Sequence, residues 1–410
     1  MQHFEIVLAL VRAALESKNP RVAHHVTRLR DALATDEQDQ ASKLTRLLTA
    51  AGKRQDMTPL AFDEMRHMGA AARDRLSGEV LTRNTPVPHD KESSAPLVRV
   101  IFPDDPAGVM PIFPAYLTEA IEELLQEWTK LDRLALLGAA PHLRCLLYGA
   151  PGVGKTQLAR YIARRLDLPC VEARLDALVS SFLGTTARNI GALFDFANRY
   201  RCLLFLDEFD AVAKARDDVH EIGEIKRVVN TLLQCLDARD GRGFTIAATN
   251  HEHLLDSAVW RRFDARIEIP KPDAQTRQQI LMRSLAPVAL DEASARVLEA
   301  LTDGQSGADI TGLVQALKRY LAIHGQPSEK KLSRSTLIHA LRRFVVMNPR
   351  QFGDERTNAL RGDRELLDKI LVDAGLNQTE RAEMLGVSQS TISRKRAVGG
   401  KRQKTRDSHG

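Results

Sequence analysis

The sequence has few cysteines, no long apolar run and no internal repeat. The four cysteines are widely spaced and form no Cys-x-x-Cys pair, so the usual ligand spacing of a structural zinc site is absent. Three of them, Cys145, Cys170 and Cys202, stand in apolar runs, and we expect buried free thiols in a reducing compartment. No apolar stretch approaches the roughly 18–20 residues that a membrane span requires.

The N-terminal stretch does not have the pattern of a signal peptide. Residues 4–15 are apolar overall, but Glu5 and Arg12 interrupt them. These absences together predict a cytoplasmic protein with no membrane partner.

The length and the net charge of the chain indicate how many domains it has and where it could attract nucleic acid. A chain of 410 residues is too long for one compact core, so we expect two or three domains. The net charge of +6 is concentrated at the C-terminus, because residues 391–410 contain seven basic residues and one acid. Any electrostatic attraction for nucleic acid is therefore expected there.

Periodicity divides the chain into an α/β centre with helical flanks. Residues 100–270 alternate apolar strands with helical patterns, which predicts a doubly wound, largely parallel sheet. The strands are predicted at 143–148, 168–171, 202–206, 244–249 and 265–269. The flanks are predicted as a helical bundle (1–78), a proline-rich linker (79–99), a helical segment (271–345), a polar linker (346–362) and a helix-turn-helix with a basic tail (363–410).

A phosphate-binding loop follows the first of these strands. Residues 149–156 (GAPGVGKT) satisfy G-x-x-x-x-G-K-[ST], directly before an amphipathic helix. Glycine lets backbone N–H groups curl around a phosphate, and the helix N-terminus favours negative charge. Lys155 supplies a charge for the β- and γ-phosphates, and Thr156 a hydroxyl for Mg²⁺. The pattern predicts ATP and Mg²⁺ as cofactors.

Two adjacent carboxylates end a second buried strand. Residues 202–206 (CLLFL) carry Asp207 and Glu208 to the ligand edge of the sheet. Asp207 is predicted to position Mg²⁺, and Glu208 to orient and deprotonate the attacking water.

The ordered set of motifs over about residues 100–345 resembles the AAA ATPase family. The resemblance implies that Asn250, which ends the strand 244–249, positions water near the γ-phosphate, and that residues 271–345 are a lid. It also implies that Ala308 stands where other branches place a sensor arginine, which favours the clade of katanin-like, proteasomal and membrane-protease motors. The expected nucleotide contacts are Gly149, Pro151, Gly152, Val153, Gly154, Lys155, Thr156, Gln157, Asp207 and Ala308.

Residues 256–264 (DSAVWRRFD) resemble the family region that carries arginine fingers. The family separates its two arginines by a Pro-Gly pair, whereas Arg261 and Arg262 are adjacent here, so either is a candidate. A finger that acts on a neighbouring subunit implies a ring, usually hexameric in the family.

Residues 180–184 (SSFLG) occupy the position of the family's first pore loop. Phe182 and Leu183 would there grip a polypeptide, because an aromatic ring offers a flat, sequence-tolerant surface. The alternative is that Phe182 belongs to the core.

The C-terminal segment 377–396 matches a helix-turn-helix, with Ala382, Gly386 and Ile392 at the positions of close crossing, turn and packing. The groups able to meet DNA are Gln389, Ser390, Thr391, Ser393 and Arg394. The alternative is a helical hairpin that docks on a protein.

The sequence thus predicts an oligomeric Mg-dependent ATPase that remodels or threads a polypeptide. The alternative is a DNA-bound AAA regulator of transposition, replication loading or transcription. The N-terminal bundle is either a docking module or a scaffold for ring assembly.

Overall fold

A computed structural model describes residues 78–106, 110–174, 183–213, 222–239, 243–255, 257–325, 331–390 and 392. All of these lie in the larger of two units into which the chain divides, Ala71–Gly410. The predicted bundle 1–78, apart from its last residue, and the basic tail therefore lie outside the described residues.

The described residues contain one six-stranded, mostly parallel sheet, in the order β1-β3-β4-β5-β2-β6. Only β1 is antiparallel to its neighbour. The strands are β1 (Val98–Ile101), β2 (Arg144–Tyr148), β3 (Cys170–Ala173), β4 (Leu203–Leu206), β5 (Phe244–Thr249) and β6 (Ala265–Glu268). The predicted α/β fold class is confirmed, and each of the five predicted strands is present.

Helices cover both faces of the sheet, so its central strands are apolar along their whole length. Leu146, Leu204 and Ala247 point to one face, and Leu147, Phe205 and Ile246 to the other, each set in its own buried cluster. The helices of this domain are α1 (Ala115–Thr129), α2 (Leu131–Leu136), α3 (Lys155–Arg165), α4 (Leu183–Arg199), α5 (Asp210–Ala213), α6 (Ile222–Ala238) and α7 (Ser257–Trp260).

Residues 79–99 differ from the prediction of a linker. Leu81 and Leu97 are buried in the cluster beneath β3 and β4, and β1 begins within the segment at Val98. The Glu79 amide donates to the carbonyl oxygen of Arg199 at 2.9 Å. Prolines and polar residues dominate the composition, but a few apolar anchors suffice to hold such a segment onto a core.

Residues 271–345, the predicted lid and called the lid below, and the C-terminal region are helical over much of their described length, and most of their helices begin at a side-chain cap. Asp273, Asp291, Ser306, Ser333, Asp363 and Asn377 each accept a hydrogen bond from a backbone amide in the first turn. The helices are α8 (Ala274–Leu285), α9 (Glu292–Leu301), α10 (Gly307–His324), α11 (Arg334–Met347), α12 (Asp354–Arg361), α13 (Arg364–Asp373) and α14 (Gln378–Leu385).

The predicted linker 346–362 also differs from expectation, because it contains α12 and buries Phe352, Ala359 and Leu360. A single hydrophobic cluster contains buried residues both from the lid, beginning with Ile280, and from the C-terminal helices, ending with Ile392. The C-terminal helices therefore pack directly on the lid. Within the part of the chain that the structure describes, no helix is long and apolar enough to cross a membrane.

Candidate functional site

The motif 149–156 consists of a loop, 149–154, between β2 and α3, and of Lys155 and Thr156, the first two residues of α3. Gly149, Gly152 and Gly154 have φ angles of 139°, 77° and 106°, a region that disfavours side chains. Glycines in this region let a loop turn its backbone N–H groups toward an anion, and the helix that begins at Lys155 adds a favourable dipole. Val153 packs in the core, whereas Pro151 and Gln157 are exposed.

Gly149 allows the loop to pass close to β6, and this permits a test of the loop geometry. A Cβ at Gly149 would overlap the carbonyl oxygen of Ile269. We expect Gly149→Ala to lower the free energy of unfolding by roughly 3 kcal/mol or more, from steric overlap added to backbone strain. Gly138, with φ of 67° and no atom within 4 Å of an added Cβ, is the matched control. Its alanine variant should lose only about 1 kcal/mol, and equal losses in denaturation curves of the two variants would contradict the geometry.

Lys155 is the buried cation of the site. Its Nζ donates to the carbonyl oxygens of Gly149 (2.7 Å) and Ala150 (2.9 Å) and to Oδ1 of Asn250 (2.6 Å). Burial lowers the pKa of Lys155, and the negative charges of Asp207 and Asp210 act in the opposite direction. The charged amine is thus held by acceptors at the loop, close to the end of β5.

Thr156 and Asp207 provide two hard oxygen ligands side by side. The Thr156 hydroxyl donates to Oδ2 of Asp207 at 2.7 Å. Mg²⁺ at phosphate sites commonly takes one or two protein oxygens and completes its shell with phosphate and water, so this pair fits the ion. No group of three His, Cys, Asp or Glu side chains suited to a metal occurs among the described residues, and such sites do not require one.

Glu208 stands at the exposed end of β4 in an unusual backbone conformation. Its φ of 49° lies in the left-handed region, and its amide donates to Oδ1 of Asp207 at 3.0 Å. The next residue, Phe209, is buried and donates its amide to the Ala248 carbonyl oxygen at 2.8 Å. This anchor turns Glu208 outward. Asp207 and Glu208 line a cleft of about 520 Å³ with Arg99, Glu172 and Arg174.

Strand order brings these groups together. In the sheet, β5 lies between β4 and β2, with Leu206 opposite Ala247 and Tyr148 opposite Thr249. The residues that follow the three strands therefore meet at one edge, as expected for ligand sites of open α/β sheets.

Sequence reasoning missed Asp210. Its buried carboxylate accepts a hydrogen bond from the Thr249 hydroxyl at 2.8 Å, and Thr249 Oγ1 accepts one from the His251 amide at 3.0 Å. Asp210 thus fixes the turn that carries Asn250. The available signal was its position two residues after Glu208 in the same acidic run.

The lid touches the phosphate loop directly. The Ala308 amide donates to the Gly152 carbonyl oxygen at 3.0 Å. A Cβ on Gly152 would lie 2.7 Å from Ser306 Oγ and 2.9 Å from Ala308 Cβ, so only glycine allows this approach. Ser306 begins α10 with a capping box completed by Asp309.

The two adjacent arginines differ in their surroundings. Nε of Arg262 lies 2.9 Å from Oδ1 of Asp237 on α6. Arg261 is exposed and forms no ion pair or side-chain hydrogen bond within the described part of the chain. The two candidates, which are equal in the sequence, therefore differ in the contacts that they make.

Several predicted residues are not brought to this site or are not described. Phe182, Thr391, Ser393 and Arg394 lie outside the described residues, as does the side chain of Leu183, which begins α4. Gln389 and Ser390 are exposed and helical, on the C-terminal side of the lid core.

Comparisons with known proteins point to one family. The model of the family "ATPase family associated with various cellular activities (AAA)" matches residues 145–271. An uncharacterized AAA family ATPase y4kL of Sinorhizobium fredii is 39% identical over 224 residues, covering 54% of this chain and 67% of that protein.

Two further relatives carry functional names. A proteasome-activating nucleotidase of Thermococcus kodakarensis is 36% identical, with 47% of this chain and 52% of that protein covered. The chloroplastic ATP-dependent zinc metalloprotease FTSH 9 of Arabidopsis thaliana is 31% identical, with 56% and 29% covered. The chain thus spans about two thirds of the Sinorhizobium relative but about half or less of these two.

Proposed function

The chain belongs to the AAA family of ATPases, and on this premise we propose that it forms rings that use MgATP hydrolysis to remodel or thread a polypeptide. The observation that carries the proposal is the convergence of five side chains at one edge of the sheet. These are Lys155 with Asn250, the Thr156–Asp207 pair and the exposed Glu208.

Each group has a role suited to its surroundings. Lys155 binds the β- and γ-phosphates, for which its buried ammonium is already oriented by the loop carbonyls. Thr156 and Asp207 hold Mg²⁺, which supplies charge neutralisation at the phosphates. Glu208 accepts the proton of the attacking water, and its exposed position gives water access. Asn250 orients that water.

The finger is assigned to Arg261. Phosphoryl transfer spreads negative charge over the transferred group, and a guanidinium from a neighbouring subunit stabilises it. Arg262 would first have to leave Asp237, whereas Arg261 is exposed on the same turn. Moving Arg261 to a neighbouring nucleotide breaks no ion pair with a described residue, so its free-energy cost is lower, and this favours Arg261 as the finger.

A polypeptide substrate is favoured by the relatives and by the sequence at residues 180–184. Two relatives have functional names, a proteasome-activating nucleotidase and an ATP-dependent zinc metalloprotease. The first name refers to the proteasome and the second to a protease, and both of these act on polypeptides. Phe182, with the following Leu183 and Gly184, offers an aromatic grip of the kind that a pore requires.

The experiment is ATP-dependent unfolding of a tagged fluorescent protein by the full chain. We expect Phe182→Ala to abolish unfolding while basal ATPase activity changes less than about threefold, because gripping and hydrolysis use different groups. Tyr116→Ala is the control, since Tyr116 is an exposed aromatic residue on α1. Unfolding that survives in the Phe182 variant, or is lost equally in both variants, would refute the pore assignment.

A further inference from the structure

The C-terminal helices have the local geometry of a helix-turn-helix. Asn377 and Glu380 form a capping box at the start of α14, and Gly386 ends it in a left-handed conformation with φ of 66°. Ala382 precedes the turn in the sequence and Ile392 follows it, both are buried, and the described residues Gln389, Ser390 and Ile392 are helical. The exposed Gln389 and Ser390 therefore lie in the first turn of the predicted second helix, the part that enters the major groove in such motifs.

This motif shares its core with the lid. Ala382, Met384, Leu385 and Ile392 belong to the same cluster as α8–α11. Shared apolar burial of this kind resists independent motion, because separating the helices would expose it to water.

Ion pairs reinforce the same junction. Arg334 at the start of α11 lies 2.5 Å from Asp291 and 2.8 Å from Glu383, and Arg296 of α9 lies 3.2 Å from Glu380. Lid arginines thus pair with both acids of α14, so these acids present little unbalanced negative charge beside the motif.

The opposite end of the lid contacts the nucleotide loop. Ala308 at the start of α10 donates to the Gly152 carbonyl oxygen, and α10 packs on α11 through residues such as Leu317 and Leu341 of the common cluster. A continuous set of packed helices therefore runs from the phosphate loop to Ile392.

We propose that the lid and the C-terminal helices form one body whose second helix binds double-stranded DNA, with an affinity that depends on the nucleotide at the phosphate loop. Duplex DNA is the partner that the chemistry fits, since the motif is followed by a segment with seven basic residues and one acid. A lid that changes position between ATP and ADP carries the helix with it, so that DNA contact is altered. This goes beyond the threading function: it rests on the proposed nucleotide site and does not require that the chain threads a polypeptide.

Linkage gives the proposal a quantitative form. Suppose that the protein binds DNA more tightly by a certain factor with ATP bound than with ADP bound. Bound DNA must then raise the protein's affinity for ATP, relative to its affinity for ADP, by the same factor. Coupling between protein sites is typically about 5–150-fold. We expect at least about fivefold here.

The test uses the full chain and a labelled mixed-sequence 30-base-pair duplex, with binding followed by fluorescence anisotropy. Dissociation constants are measured without nucleotide, with ADP, and with ATP on the Glu208→Gln background that retains it. We expect binding at about 50 mM salt that weakens at least about tenfold at 200 mM, and at least about a fivefold difference between ATP and ADP. Lys155→Ala should bind DNA but lose the response to nucleotide.

Introduced negative charge locates the DNA-binding surface. Gln389→Glu with Ser390→Glu should weaken DNA binding at least about tenfold through phosphate repulsion and leave basal ATPase activity unchanged. Gln278→Glu with Gln279→Glu adds the same charge at exposed positions on α8 and should weaken binding less than about threefold.

Three results would overturn the proposal. The first is no binding at low salt, which would leave protein docking as the role of the motif. The others are equal affinity in all nucleotide states and equal loss in both double variants. ATPase and unfolding assays on the same preparations show separately whether the motor function holds.

Discussion

Glu208→Gln is expected to lower the rate of ATP turnover by about 10²–10⁴-fold while ATP still binds. The substitution keeps the shape of the side chain but removes the proton acceptor. Lys155 and the Thr156–Asp207 pair, which we propose hold the nucleotide and its Mg²⁺, are unchanged. Phosphate release measures turnover, and fluorescence titration with a labelled ATP measures binding.

Glu172→Gln is the matched control for the assignment of the base. Glu172 lines the same cleft but is held by Arg160 at 2.8 Å. We expect its turnover to fall less than about tenfold, because no proton transfer depends on it. Normal turnover in the Glu208 variant, or an equal loss in both variants, would remove Glu208 from the role of base.

Arg261→Ala is expected to lower turnover by about 10³–10⁵-fold, the range for an arginine finger, with nearly normal ATP affinity. Arg262→Ala removes the ion pair with Asp237 from an exposed region, so its turnover should fall less than about tenfold. The two arginines are adjacent and carry the same charge, so each controls for the other. A larger loss in the Arg262 variant would reverse the assignment.

Mixing two inactive variants tests whether Arg261 acts between subunits. Lys155→Ala should bind no nucleotide but still present Arg261, whereas Arg261→Ala binds nucleotide without a finger. Mixed rings contain interfaces with one intact loop and one intact arginine, so turnover should recover to several per cent of normal or more. No recovery, with mixed oligomers demonstrated, would mean that Arg261 does not act in trans.

The features whose place in the fold was predicted correctly from sequence are those set by contiguous residues. The phosphate loop, the two carboxylates after β4 and the five strands each depend on a local pattern of apolar, glycine and acidic residues. Parallel strand order then brings the loop, Asp207 and Asn250 to one edge, because the carboxyl ends of adjacent parallel strands coincide.

The features that were missed depend on contacts between distant residues. Leu81, Leu97 and Phe352 are isolated apolar residues in polar surroundings, and only their burial shows that the predicted linkers are packed. The sequence likewise gives no sign that Arg262 pairs with Asp237 or that Asp210 holds Thr249.

The most direct test of the central claim is the ATPase rate per subunit as a function of protein concentration, with the oligomer mass measured on the same samples. A site completed by a neighbouring Arg261 predicts a low rate in dilute, monomeric samples and a rate that rises together with the population of rings. A constant rate per subunit in samples that remain monomeric throughout would contradict it.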